Sequence, residues 1–304
     1  MKLVIDTDPG VDDAMAIFYA ALTPDIDLLG LTTIFGNVTT EKATRNALRL
    51  LEIAGLDVPV AAGPVGPLSG RIITPADFVH GAEGLGDIPA AVPQGSAIDM
   101  PAAQFLCQLA REHRGELVVC AIGPITNVAL AVQLDPDFAT NVARIVFMGG
   151  AYGVPGNVTP FAEANTWNDA EALNVVINSG ANIVMVGLDV TMRTMCDPAF
   201  FAGLAQANPK LGGFLQKASH FYLDFYHSRF GQKACSLHDP AAVIACTHPH
   251  LFEMAMLPVA VVVGGDEAGR TALSPDPATK PIAVCIGGDM ETVKAQFASV
   301  FVIQ

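Results

Sequence analysis

Four carboxylates fall within eight residues in the segment Asp6-Thr7-Asp8-Pro9-Gly10-Val11-Asp12-Asp13. Asp6 and Asp8 alternate with Thr7, so a strand continuing that far points them the same way. Asp12 and Asp13 open an apolar helical run, where the helix dipole stabilises negative charge. Carboxylates gathered this closely raise one another's pKa unless a cation is present. With oxygen ligands and no nearby Cys or His, that cation is hard, Ca²⁺ or Mg²⁺ rather than Zn²⁺. The structural alternative is an acidic turn with Asp12 as a helix cap, but a cap needs only one acid.

Further chemistry sits where other strands should end. Phe35-Gly36-Asn37, Ile122-Gly123-Pro124-Ile125-Thr126-Asn127, Gly149-Gly150, Asn157 and Glu163-Ala164-Asn165 are rich in amides and acids and poor in Lys and Arg. That suits hydroxyl groups and a metal, and does not suit a phosphate ester. His80 lies among Gly81, Gly84 and Gly86, and on its own reads as a surface-loop histidine. His238-Asp239-Pro240 has two readings: Asp239 caps the helix that follows, or it is a distant metal ligand with His238 beside it as an acid. Trp167 either lines a pocket or packs above the sheet. His113, His220, His227, His248 and His250 read as surface or interface groups. Gly264-Gly265-Asp266 and Gly287-Gly288-Asp289 lack the Lys and Ser of a phosphate loop and read as turns or helix starts. The cysteines at 107, 120, 196, 235, 246 and 285 form no C-x-x-C pair and read as reduced core thiols.

The elements that must position these groups alternate. Strands are expected at 2–6, 26–33, 58–61, 116–121, 144–148, 182–187, 257–263 and 281–286. Helices are expected at 11–22, 40–54, 100–113, 125–134, 169–179, 197–206, 211–229, 239–247 and 289–299. Thr39 before the second helix, Gly55 after it, Asp99 before Pro101, and Asp169 and Gly180 around 169–179 supply start and stop signals. The alternation predicts an α/β fold: a Rossmann-like, mostly parallel central sheet flanked by helices, with additional C-terminal helices completing the site. In such sheets ligands bind beyond the carboxyl ends of the strands. Residues 62–98 are loop-rich, and a loop that long is often functional.

The chain has 304 residues, 51% of them apolar and 15% charged, which excludes extensive disorder. It is expected to form one domain over residues 1–304. A net charge of −14 argues against nucleic acid and anionic membrane as partners. No apolar run is long enough for a membrane helix and the first residues are not a signal peptide, so a cytoplasmic protein is expected.

The segment from Asp6 to Ala14 closely resembles the signature of the nucleoside hydrolases, the inosine-uridine-preferring nucleoside N-ribohydrolases. Gly36-Asn37, His80-Gly81, Gly123-Pro124-Ile125-Thr126-Asn127, Met148-Gly149-Gly150, Gly156-Asn157, Glu163-Ala164-Asn165 and His238-Asp239-Pro240 resemble further family motifs in the right order. The resemblance implies hydrolysis of the N-glycosidic bond of ribonucleosides in nucleoside salvage. It implies a Ca²⁺ ion held by Asp8, Asp13, Asp239 and the carbonyl of Ile122. Asp8 would be the general base for the attacking water. Asp12, Asn37, Asn157, Glu163 and Asn165 would hold the ribose, with Asn165 also in the catalytic group and Met148 in the substrate-binding set. His80 and His238 would border the base, and His238 would protonate a purine leaving group. A homodimer or homotetramer is implied by the same likeness.

The residues agree chemically, because carboxylates and amides around a sugar stabilise the positive charge of an oxocarbenium-like transition state. This chain departs from many relatives at Ala164, where they carry a bulky aromatic. Residues 221–229, whose counterpart helps choose the base, do not align residue by residue, so purine or pyrimidine preference stays open. Three rival readings stand beside this one. They are a hydrolase of a modified base or other ribosyl derivative, a haloacid-dehalogenase-like phosphohydrolase, and a non-catalytic nucleoside sensor. The phosphohydrolase would need a lysine near the acidic loop, and a sensor would need neither a base at Asp8 nor an acid at His238.

Overall fold

A computed structural model describes residues 1–302. The first half contains β1 (Lys2–Thr7), α1 (Val11–Leu22), β2 (Asp27–Thr33), α2 (Thr40–Ala54), β3 (Val60–Ala62) and α3 (Asp77–His80). It continues through α4 (Ala102–Glu112), β4 (Leu117–Ala121), α5 (Thr126–Leu134), α6 (Phe138–Asn141) and β5 (Arg144–Met148). Next come α7 (Ala164–Asn168), α8 (Ala170–Ile177), β6 (Ile183–Val186), α9 (Leu188–Thr191), β7 (Met195–Cys196) and α10 (Pro198–Ala207). The chain then forms α11 (Leu211–Phe230), β8 (Cys235–Ser236), α12 (His238–Thr247), β9 (Phe252–Leu257), β10 (Val259–Val261), β11 (Thr271–Leu273), β12 (Ile282–Gly288) and α13 (Met290–Ser299).

Eight strands form one sheet in the order β3-β2-β1-β4-β5-β6-β12-β9, parallel except for β9. Strand β1 pairs with β2 on one side and β4 on the other. The strand order therefore reverses at β1, and the loops after β1 and β4 diverge to leave a crevice. Burial on both faces explains the continuous apolar runs Leu3-Val4-Ile5 and Val118-Val119-Cys120, all at most 3% exposed. One face packs against α1, α11 and α12, the other against α4, α5 and α8.

Local signals set several boundaries. The Thr39 side chain accepts from Lys42 N, and Gly55 closes α2 in the left-handed region at φ 78°. Asp169 caps α8 and Asp289 caps α13. Asp99 does not cap α4, which begins at Ala102 after Pro101. The strand expected at 257–263 is two strands interrupted at Pro258. Residues 252–257 form the sheet edge, while β10 pairs antiparallel with β11 in a separate hairpin. Proline lacks the amide a continuous ladder needs.

Ile5 sits at the centre of β1 and is fully buried, opposite Leu31 and Cys120. Ile5→Ala should cost about 2–5 kcal/mol of unfolding free energy in urea, with KM unchanged well below the melting temperature. A cost near zero would show that β1 does not anchor the sheet.

Candidate active site

β1 ends at Thr7, and the chain turns so that three of its acids face the crevice. Asp6 does not join them. Its Oδ1 accepts from Thr32 Oγ1 and Asn127 Nδ2, both at 2.7 Å, which draws the carboxylate into the β1–β2–α5 corner. The expectation that Asp6 and Asp8 act side by side is therefore corrected. Asp239 brings the fourth carboxylate, from the first turn of α12.

Asp13, rather than Asp12, performs the capping task at α1: its Oδ2 accepts from Gly10 N at 2.8 Å. Its Oδ1 accepts from Thr7 Oγ1 and Asp8 N, and Asn37 Nδ2 reaches Oδ2 at 3.0 Å. Asp8 Oδ2 accepts from Asn37 N at 2.6 Å, while Asp8 Oδ1 is buried without a partner. Asp12 Oδ1 is likewise buried and unpartnered. Gly123 makes room for this cluster, since a Cβ there would stand 2.6 Å from Asp8 Oδ1. A side chain at Gly36 would overlap Asp8 Oδ2, and its φ of +152° also disfavours one.

Asp8, Asp12, Asp13 and Asp239 are all at most 5% exposed. Burial pushes each pKa up, and the neighbouring acids raise those of Asp8, Asp13 and Asp239 further. One oxygen from each of Asp12, Asp13 and Asp239 lies within 4.8 Å of the others, with Asp8 beside them. Orphaned buried oxygens in an all-oxygen donor set fit a hard divalent cation. The carbonyl of Ile122 points to the same crevice and accepts from Asn165 Nδ2 at 2.9 Å, leaving its second lone pair available.

A cavity of about 350 Å³ opens above this floor. Of the sequence-predicted residues, Asp12, Asn37, His80, Ile122, Met148, Asn157, Glu163, Asn165, His238 and Asp239 line it. Asp8 and Asp13 lie among the acids beneath. Glu163 caps α7 through Asn165 N and Thr166 N and also accepts from Gly150 N. Burial nevertheless lifts its pKa to about 7. Asn165 Nδ2 also reaches the carbonyl of Met148 at 3.1 Å, so one amide ties the ends of β4 and β5 together.

The opposite wall comes from α3 and α11: Phe78, Tyr222, Phe225, Tyr226, Arg229 and Phe230. His80 Nδ1 accepts from Val11 N, so the ring proton sits on Nε2. Its ring stacks on Tyr222 at 5.1 Å. Tyr226 Oη and His238 Nε2 are 2.7 Å apart, and Thr191 Oγ1 holds Nδ1 at 2.8 Å. Burial lowers His80 to about 4 and His238 to about 3, so both imidazoles are neutral at pH 7. A proton reaching a leaving group would then come from an N–H or O–H of this chain, not from a standing imidazolium.

The sequence places Tyr222 and Tyr226 only within the base-choosing segment 221–229, with no individual role, and it assigns none to Thr191. The four-residue spacing of the two tyrosines marks one helix face, but only the packing of α11 against α1 and α3 turns that face toward the acids. Trp167 does not line the cavity and instead lies under the Arg71 guanidinium, 4.1 Å from its ring centre.

The α/β fold holds a cavity lined by carboxylates and amides on one side and by aromatic side chains on the other. The chain matches the family described as inosine-uridine preferring nucleoside hydrolase over residues 3–295. It is 46% identical over 274 residues, 90% of this chain and 85% of the relative, to a probable uridine nucleosidase 2 of Arabidopsis thaliana. A solved plant nucleoside hydrolase superposes with TM-score 0.96 at 40% identity, covering 100% of this chain and 99% of its own. A purine-preferring ribonucleoside hydrolase from Gardnerella vaginalis gives 0.95 at 32% identity, covering 99% and 98%. The chain belongs to the inosine-uridine preferring nucleoside hydrolase family and hydrolyses the N-glycosidic bond of ribonucleosides.

The pKa directions give a linkage test. Acids raised above their unfolded value bind protons more tightly when folded, so the stability these four contribute is present below their ordinary carboxylate range and is lost as pH rises through their raised folded values. A cation bound by the ionised cluster offsets that loss. Thermal melts should show a larger Ca²⁺-minus-EDTA shift at pH 7.5 than at pH 5, and an equal or reversed shift would remove the metal from this cluster.

Proposed function

We propose that this chain is a Ca²⁺-dependent ribonucleoside hydrolase of nucleoside salvage that takes uridine among its substrates. The observation that carries the reading is the pairing, across one cavity, of a buried oxygen-donor cluster with the Tyr226–His238–Thr191 chain. Asp8, Asp13, Asp239 and the Ile122 carbonyl would hold the ion, and Asp12, which forms one oxygen cluster with Asp13 and Asp239, lies close enough to share it. When bound, Ca²⁺ supplies positive charge that orients sugar hydroxyls and acidifies water. Asp8 Oδ1, unpartnered and made more basic by burial, takes the proton of the attacking water. Asp12, Asn37, Asn157, Glu163 and Asn165 bind the ribose, beside Met148. Their oxygens also stabilise the charge that develops at C1′ as its bond to the base nitrogen breaks. His238, held between Thr191 and Tyr226, feeds a proton to the base nitrogen through the Tyr226 hydroxyl, and solvent returns that proton to the chain, while His80 presents Nε2–H at the edge of the base.

Uridine is supported by the name of the 46%-identical Arabidopsis relative. A phosphohydrolase finds no support, since Arg229 is the sole Lys or Arg lining the cavity and stands on the aromatic side. The proposal includes a single-domain enzyme acting in the cytoplasm as a homodimer or homotetramer, on small molecules rather than nucleic acid or membrane. Among the described residues no helix is long and apolar enough to cross a membrane.

Reducing-sugar release from uridine and inosine, with none from 2′-deoxyinosine, is the expected result. The deoxy substrate leaves buried polar groups unpaired, a penalty that can reach ~10⁴-fold. No release from any ribonucleoside by folded, Ca²⁺-loaded protein would sink the assignment of substrate. His238→Ala should slow inosine by about 10²–10⁴-fold and spare p-nitrophenyl riboside, whose leaving group needs no proton. Equal losses on both would make His238 a binding residue.

A further inference from the structure

We propose that Asp189 is a positioning residue for ribose binding: its carboxylate fixes the β5–α7 loop so that Asn157 reaches the sugar. The inference rests on the reading of Asn157 as a ribose ligand. That loop leaves β5 and runs through fifteen residues, 149–163, before α7 begins at Ala164. Its ends are secured within the site. Gly150 N bonds Glu163 and Ala151 N bonds Thr271 Oγ1 on the near side. On the far side Ala162 bridges to Arg270, and Asn157 Oδ1 accepts from Ala164 N. Between them, half-buried Tyr152 packs against the core and Gly153 is exposed, and Asp189 holds the amides of both. Its Oδ2 accepts from Tyr152 N at 2.9 Å and its Oδ1 from Gly153 N at 2.6 Å.

Asp189 comes from α9, whose own start is tied to the same loop by Leu188 N donating to Gly150 O. Beyond Gly153 the chain passes the exposed Val154 and Pro155 before Asn157 and Val158 reach the cavity rim. A carboxylate gripping two consecutive amides fixes the direction in which the chain leaves, and charge-assisted bonds of this kind are about twice as strong as neutral ones. The other end of α9 carries Thr191, which holds His238. Two routes from Asp189 to the chemistry therefore exist, and they separate kinetically. Through the loop it acts on the sugar, common to all substrates. Through Thr191 it would act on the leaving group.

The test is steady-state kinetics on uridine, inosine and p-nitrophenyl riboside for Asp189→Ala, Asp189→Asn, Asn157→Ala and the double variant Asp189→Ala/Asn157→Ala. Losing a bond to a charged group predicts a KM rise of roughly tenfold or more in Asp189→Ala, alike on all three substrates, with kcat little changed. Asp189→Asn, which keeps one acceptor oxygen but turns an NH2 donor toward the second amide, should recover only part of it. The double variant should match Asn157→Ala alone, because both changes remove one contact. Additive losses, or a kcat loss on inosine with p-nitrophenyl riboside spared, would overturn the proposal. A normal Asp189→Ala beside a damaged Asn157→Ala overturns it as well, whereas a normal Asn157→Ala instead overturns the ribose role of Asn157. If Asp189→Ala does not fold, Asp189→Ser carries the same cycle.

Discussion

The mutual repulsion of four buried carboxylates at the end of the central strand governs this molecule. Asp8, Asp12, Asp13 and Asp239 sit where water cannot screen them, and like charges at that distance oppose folding. The local chain answers with donors. Thr7, Gly10, the backbone of Asp8 and both the amide and side chain of Asn37 point at this cluster. These bonds hold Asp13 and one oxygen of Asp8, and they leave Asp8 Oδ1 and Asp12 Oδ1 unanswered. The sheet thus leaves two carboxylate oxygens unanswered at the crevice, where a cation and a sugar are proposed to complete them.

The surroundings divide along the same line. The β4 and β5 ends bring amides and carbonyls to the sugar side, with Asn165 bridging the Ile122 and Met148 carbonyls. Helices α11 and α12 bring an aromatic wall and an imidazole whose two nitrogens are both engaged by hydroxyls. Neutral histidines are the natural partners of such a site. Burial disfavours their charged form, and a neutral ring with one N–H and one acceptor nitrogen has a defined hydrogen-bond polarity.

Much of this is legible in the amino-acid sequence. The α1 and α2 spans are those expected, because Thr39, Gly55 and an apolar stripe mark them. The acidic loop, the amide-rich strand ends and His238-Asp239 were visible as residue types at the right ends of strands, and the family resemblance placed their roles. Short elements were not legible. Helices α3, α6, α7 and α9 and the ribbon of β7 and β8 span two to five residues, less than two helical turns, so periodicity cannot show them. Asp6 looked equivalent to Asp8 because the partners that remove it, Thr32 and Asn127, lie 26 and 121 residues away. Tyr222 and Tyr226 shared a visible helical spacing, but the direction of that face depends on where α11 docks. The strand expected at 257–263 failed at Pro258, a local signal that outweighs its apolar surroundings.

All six cysteines are buried and unpaired, spread over α4, β4, β7, β8, α12 and β12 on both faces of the sheet. Thiol reagents act on exposed thiolates, so the folded chain is inert to maleimide labelling while the unfolded chain carries six targets. The protein therefore holds its own opening clock. The order in which these six sites label under native conditions ranks the lifetimes of the helical layers and of the sheet between them, with no probe to install.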